Sequence, residues 1–230
     1  MAPIKDITIR QLGEFLSVLD IFPEIDFFRG QSSSEYKLIP SIGRLFKDGQ
    51  ENVLIQYERD IFEDFKRKFS MFTDARPKND MEFLFLAQHY GLPTRLLDWT
   101  FNPLIALYFA CCSNYDKDGV VFQCYPFSRR LFNEETDDIL AFPAITLLMP
   151  NMTDVRYKNQ NGLFVLYPKP WEEAFENVST RYIIPSSCKR GILNKLEKIG
   201  FTRSYIMPSL DSLCKDIVDI HNLRYQHALK

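Results

Sequence analysis

The stretch from residue 81 to 113 limits most sharply what this chain can fold into. Residues 81–90 are apolar almost throughout and end at Gly91, a residue suited to the turn that stops a helix. Residues 93–100 lack a helical period and read as irregular or extended. Asn102 and Pro103 then supply an N-cap and a first-turn proline for a helix running to about Ser113. The first of these helices must be buried, so other elements have to cover it. The same unit crowds Gln88, His89, Tyr90, Thr94, Arg95, Asp98, Trp99, Thr100 and Asn102 along one loop edge.

Elements able to do the covering are legible on both sides. Thr8 and Gln11 resemble a capping box ahead of Leu12, Phe15, Leu16 and Leu19, which share one helical face until Pro23 ends it. Residues 25–28 form a short aromatic run halted by Arg29 and Gly30, the pattern of a buried strand reaching a sheet edge. Between residues 52 and 72, Leu54, Tyr57, Ile61, Phe62, Phe65 and Phe69 recur at helical spacing among charges. Residues 119–125, 163–167 and 182–185 read as strands, and residues 171–175 as a short helix. Ile192, Leu193, Leu196 and Ile199 mark a helix closed by Gly200, and Ser209 caps a last one carrying Leu210, Leu213, Ile217 and Ile220. Strands and helices intermingle without a βαβ repeat. The expected fold is therefore α+β, one domain over residues 1–230 with a mixed central sheet and helices packed around it. A chain of 230 residues, 46% apolar, buries roughly 70% of its unfolded surface and needs neither disulfide nor structural metal.

Charge and cysteine usage narrow the function. Twenty-eight basic and 30 acidic residues give a net charge of −2, which supplies no field for non-specific nucleic-acid binding. Five cysteines, with Cys111 and Cys112 adjacent, and three histidines make no metal-ligand spacing, so reduced thiols and no metal are expected. The longest apolar stretches are too short to span a bilayer and residues 1–15 lack a signal-peptide pattern. The cytoplasm is the expected compartment, without a membrane partner. No nucleophile elbow, P-loop or dinucleotide-binding glycine motif occurs.

Three arginines carry the remaining chemistry. Arg95 and Asp98 stand three apart, either as an internal ion pair with Thr100 and Asn102 capping the next helix, or as the lining of a cleft. Arg29, between Phe28 and Gly30-Gln31, presents a guanidinium fork at a strand end, where it meets either a phosphate or a core carboxylate such as Asp98. Arg44, after the turn at residues 40–43, adds a third possible cation. A binding site here requires Arg29, Arg95 and Asp98 to open onto one pocket of roughly 300 Å³ or more.

The combination of Phe28-Arg29-Gly30-Gln31, residues 36–41 with Arg44, and the whole stretch 88–110 resembles the FRG domain family. Weaker likeness continues through Arg156 with residues 160–164, residues 192–196 with Gly200, and residues 208–211, so that it spans most of residues 10–220. More distantly, an Arg-Gly at the end of an early strand, followed by residues 95–102 and an alanine-bearing helix, is similar in order to arginine-class ADP-ribosyltransferases. That resemblance implies an NAD-using enzyme acting at the nicotinamide glycosidic bond. Arg29 would hold the pyrophosphate, Thr100 and Asp98 would support the nicotinamide ribose, and Tyr90 or Trp99 would stack on a base. Gly30, Gln31, Arg44, His89, Arg95 and Asn102 would line the ligand site. Gln160 stands where such enzymes carry a catalytic glutamate, with Glu82 or Asp98 as possible substitutes. The alternatives are a sensor that binds a nucleotide or other phosphate-containing small molecule without consuming it, and a protein-interaction module. A protein acceptor and a role in bacterial defence fit the resemblance.

Overall fold

The computed structural model describes residues 3–20, 26–46, 49–125, 132–150, 155–173, 175 and 177–225. Pro23 and Ile25, expected at a helix end and a strand start, lie outside these residues, as does the side chain of Arg156. Among the described residues, the strands are β1 (Lys5–Thr8), β2 (Phe27–Gln31), β3 (Leu96–Thr100), β4 (Gly119–Cys124), β5 (Thr146–Leu148), β6 (Gly162–Leu166) and β7 (Val178–Ile184). The α-helices are α1 (Leu12–Val18), α2 (Glu51–Lys68), α3 (Asp80–His89), α4 (Pro103–Cys111), α5 (Val155–Gln160), α6 (Ser186–Lys198), α7 (Arg203–Ile206) and α8 (Leu210–Tyr225). All seven strands join one mixed sheet in the order β1-β7-β4-β2-β3-β6-β5. Only β1 with β7 is parallel. The fold is α+β, as the intermingled pattern predicts.

Apolar side chains divide between the two faces of the sheet. Phe28 and Val121 face the cluster built from α4, α1 and α6, whereas Phe27, Leu97, Trp99, Val120 and Phe122 form a second cluster with Leu38. A third gathers Leu96, Phe164 and Leu166 under Phe62 of α2 and Leu84 and Phe85 of α3. The helix α4 is apolar on every side because it lies directly against β2. A Cβ on Gly30 would stand 1.8 Å from the Ala106 carbonyl oxygen, so only glycine permits this approach. Asn102 caps α4 by accepting from the Leu104 N–H, with Pro103 in the first turn, as its sequence predicts.

Several elements differ from their sequence expectation for local reasons. Residues 96–100 form a central strand; buried on both faces except at Asp98, it shows no alternation of apolar and polar types. Thr8 ends β1 instead of capping α1, where the Glu14 carboxylate accepts from the N–H groups of Arg10 and Gln11. Residues 171–173 make a turn, not a helix. In α8, Asp216 accepts from the Ser204 N–H and Ser212 is buried, leaving Leu213, Ile217 and Ile220 exposed.

Candidate functional site

The sheet is nearly divided at its centre. β2 shares five residue pairs with β4, and β3 shares five with β6, but β2 and β3 meet at one pair, Phe28 with Thr100. Where further ladder bonds would lie, the Arg29 guanidinium enters the gap. Its Nη1 donates to the backbone carbonyl oxygen of Asp98 at 2.5 Å and lies 3.9 Å from Asp98 Oδ2. The Arg29 side chain is 17% exposed, while that of Asp98 is 61% exposed. One guanidinium thus links two strands that hydrogen bonds hardly join, and a carboxylate stands beside it at the surface.

The surroundings of Arg29 leave part of its charge uncompensated. Burial lowers its pKa and Arg44 lowers it further, opposed by Asp98 and Tyr167. Its Nε is buried without a hydrogen-bond partner among the described residues, as is Oε1 of Gln31, two residues along on the same side of β2. Arg44 is aimed by its own Nε, which donates to the Ile39 carbonyl at 2.9 Å. The segment carrying it is fixed over the start of β3: Ser41 and Thr94 exchange hydrogen bonds, Ile42 N–H donates to the Thr94 carbonyl, and Leu38 N–H donates to Glu173. A guanidinium with one unfilled donor at a strand gap, under the charge of a second arginine, is suited to hold an anion.

Asp98 also lines a small cavity of about 90 Å³ with Gln88, His89, Trp99 and Gln160; neither Arg29 nor Arg95 lines it, so the three side chains do not share the one pocket of roughly 300 Å³ expected of them. Thr100 Oγ1 donates to the Gln160 carbonyl at 2.6 Å and accepts from the Asn102 N–H, and Gln160 Nε2 donates to the Ile206 carbonyl. Thr100 and Asn102 are therefore committed to the strand-to-helix turn, which is the first of the two readings offered for them. Gln160 precedes β6, whose five residues Gly162–Leu166 include no carboxylate.

Other expected site residues lie elsewhere. Arg95 and Asp98 do not pair. Arg95 is 2% exposed, and its Nε, Nη2 and backbone N–H all donate to Glu58 of α2, itself 1% exposed. This withdraws Arg95 from any anion clamp, because its fork is already filled. The Trp99 ring is 3% exposed and meets Phe27 edge-on, so neither face is open for stacking. Tyr90, 68% exposed, lines a separate apolar groove between α2 and α3 with Phe65, Phe69 and Phe72. Gly30 admits the close approach of α4. Glu82 accepts from the Lys78 N–H at the first turn of α3, seven residues and about 10 Å of helix from His89.

Two residues that the sequence left unmarked shape the site. Glu58 is one; a carboxylate on the apolar face of α2 was the available signal. Lys189 is the other, with no exposed surface, donating to the carbonyls of Ser32, Ser113, Asn114 and Lys117 and so fastening the chain that follows Gln31. Among the described residues no cluster of His, Cys, Asp and Glu suits a metal, and no helix is long and apolar enough to cross a membrane.

The family model of the FRG domain matches residues 25–119, the span that runs from the start of β2 through Arg44, α2, α3, β3 and α4 to β4. This stretch belongs to the FRG domain family. No curated protein and no solved structure matches the chain. Within the FRG domain, the Phe-Arg-Gly-Gln string makes up the last four residues of β2, so Arg29 and Gly30 lie inside the strand, paired with Phe122 and Val121, and do not halt it as the sequence suggested; among the described residues Phe28 carries the one pairing with β3, Arg29 fills the gap beside it, Gly30 admits α4 and Gln31 turns an unpartnered oxygen inward.

Proposed function

We propose that the FRG domain binds the phosphates of a nucleotide at Arg29 and Arg44, with NAD as the first ligand to test, and acts at its nicotinamide glycosidic bond through Asp98. One observation carries the reading. A largely buried guanidinium keeps a nitrogen without a partner, and two residues along the same side of β2 Gln31 keeps an unpartnered oxygen; an anion would fill the first and a ribose hydroxyl the second. When the glycosidic bond breaks, its electron pair leaves with nicotinamide and positive charge develops at the ribose C1′. The Asp98 carboxylate would stabilise that charge until an acceptor hydroxyl or amine bonds there and releases its proton to solvent. Arg29, 3.9 Å from Asp98 Oδ2, would position both the carboxylate and the phosphates.

A second reading, nucleotide binding without turnover, draws on the absence of a carboxylate in β6 beside Gln160. One experiment separates the two. Purified protein incubated with NAD should show a rise in melting temperature, by about 2.7 kcal/mol of added stability at a hundredfold excess over Kd, and should release nicotinamide. Arg29→Ala should abolish the shift, and Asp98→Asn should abolish release while keeping the shift. A shift without release selects the sensor; neither shift nor release removes both.

A further inference from the structure

A second cavity, of about 360 Å³, lies next to Arg44 and outside the strand gap. Its lining includes Tyr36, Phe46 and Trp171, with the cations Arg44 and Lys37 and the carboxylates Glu51 and Glu35, the last paired with Lys117. The rings are held from behind. The Tyr36 hydroxyl accepts from Asn114 Nδ2 at 2.9 Å, Phe46 packs edge-on to Tyr57 with centroids 5.3 Å apart, and Trp171 follows Pro170, whose carbonyl oxygen lies so close to Gly43 that a Cβ there would approach it to 1.8 Å. Tyr36 is about half exposed and Trp171 half-buried, so both present ring surface to a visitor. Flat aromatic walls take a base by stacking, the two cations take a phosphate, and the Glu51 carboxylate takes an amino or hydroxyl donor. Such a set fits a nucleoside with a phosphate at its open end, and 360 Å³ lies in the range of small-molecule pockets.

Arg44 also acts through its charge on Arg29. Its side chain lines this cavity, and the segment 38–44 is stitched across the start of β3 through Ser41, Ile42 and Thr94, on the side of the sheet where Leu38 packs with Phe27 and Trp99. We infer that the Tyr36–Trp171 cavity receives the purine nucleoside end of the ligand, so that the domain selects a purine nucleotide and, for NAD, holds the adenosine half here with Arg44 bridging to the phosphates at Arg29. This rests on the phosphate-binding reading of Arg29. No residue lines both this cavity and the 90 Å³ cavity beside Asp98.

Calorimetric titration with NAD, AMP and nicotinamide mononucleotide tests the assignment on the wild type, Arg29→Ala, Trp171→Leu and Tyr36→Ala. Both ring variants should weaken NAD and AMP by about tenfold or more, the loss expected for one base–aromatic stack. Nicotinamide mononucleotide, which has the phosphate but no purine, should keep its affinity. Tyr36 is exposed enough for its alanine variant to fold, which circular dichroism checks. NAD and AMP affinities within twofold of wild type in the folded ring variants, with binding still lost in Arg29→Ala, overturn the nucleoside assignment and leave the phosphate site standing. Equal weakening of all three ligands also overturns it. If the wild type binds none of them, the phosphate site fails and this inference with it.

Discussion

Arg95 and Arg29 sit a few residues from the same strand gap, yet their partners give them opposite roles. Arg95 gives two guanidinium nitrogens to a fully buried carboxylate, so truncating that carboxylate leaves an unpaired internal charge. Glu58→Ala should therefore lower unfolding free energy by about 3–5 kcal/mol in urea titration, and Glu58→Leu combined with Arg95→Met should recover much of it. A loss below about 1 kcal/mol for the single variant would show that the pair is not closed. Arg29 has an exposed carboxylate at 3.9 Å, a second arginine nearby and an empty donor, which is a poor arrangement for stability and a good one for capturing an anion. Sequence spacing offered Asp98 as a partner for Arg95, three residues away, and named it only as one carboxylate that Arg29 could meet; the structure sets it 3.9 Å from Arg29 and gives Arg95 to Glu58. The distinction is made by Glu58, 37 positions upstream, and no local pattern reports a contact at that separation.

Between elements, the closest fit is that of β2 against α4. Gly30 lies where any Cβ would overlap the Ala106 carbonyl, and β2 cannot retreat without breaking its five pairs with β4. Gly30→Ala should cost at least about 1–3 kcal/mol, read as a lowered midpoint in thermal unfolding, and should widen or close the gap that holds Arg29. An unchanged midpoint would mean that α4 shifts freely. The boundaries of α4 were legible because Asn102 and Pro103 act within one turn of the chain. For β3 the sequence offered an irregular or extended stretch without deciding between them, since residues 96–100 derive their strand pairing from β6 and from Phe28, partners 60 and more residues away. The weakly patterned β5 and the short α7 escaped for the same reason: three or four residues carry too little periodicity to register.

Across the whole molecule, alkaline pH should act on buried phenol and thiol groups together. Burial pushes the Tyr182 hydroxyl, which donates to Gln123 Oε1 at 2.6 Å, and the Cys111 thiol up to about 12. A group raised in this way contributes its full share of stability below its unfolded pKa, roughly 10 for tyrosine and 8.5 for cysteine, and loses it as pH rises through the folded value. Melting temperature should thus fall progressively between about pH 9 and 12, and Tyr182→Phe should flatten the upper part of that fall once its own stability at pH 8 is taken as reference. A parallel fall in the variant would exclude Tyr182 as a contributor.

By itself, the sequence determined the local grammar of this protein: where α3 stops and α4 starts, which faces of α2 and α6 are apolar, and that strands and helices mix without a βαβ repeat. Those properties reside in caps, breakers and periodicities only a few residues long. Only the tertiary structure decided which charges are spent and which remain available. Strand order brings β2 beside β3 with a single shared pair, Glu58 closes on Arg95, and segment 38–44 folds over Thr94 to bring Arg44 toward Arg29. Desolvation and Coulomb energy depend on distance in space, which separation along the chain does not encode.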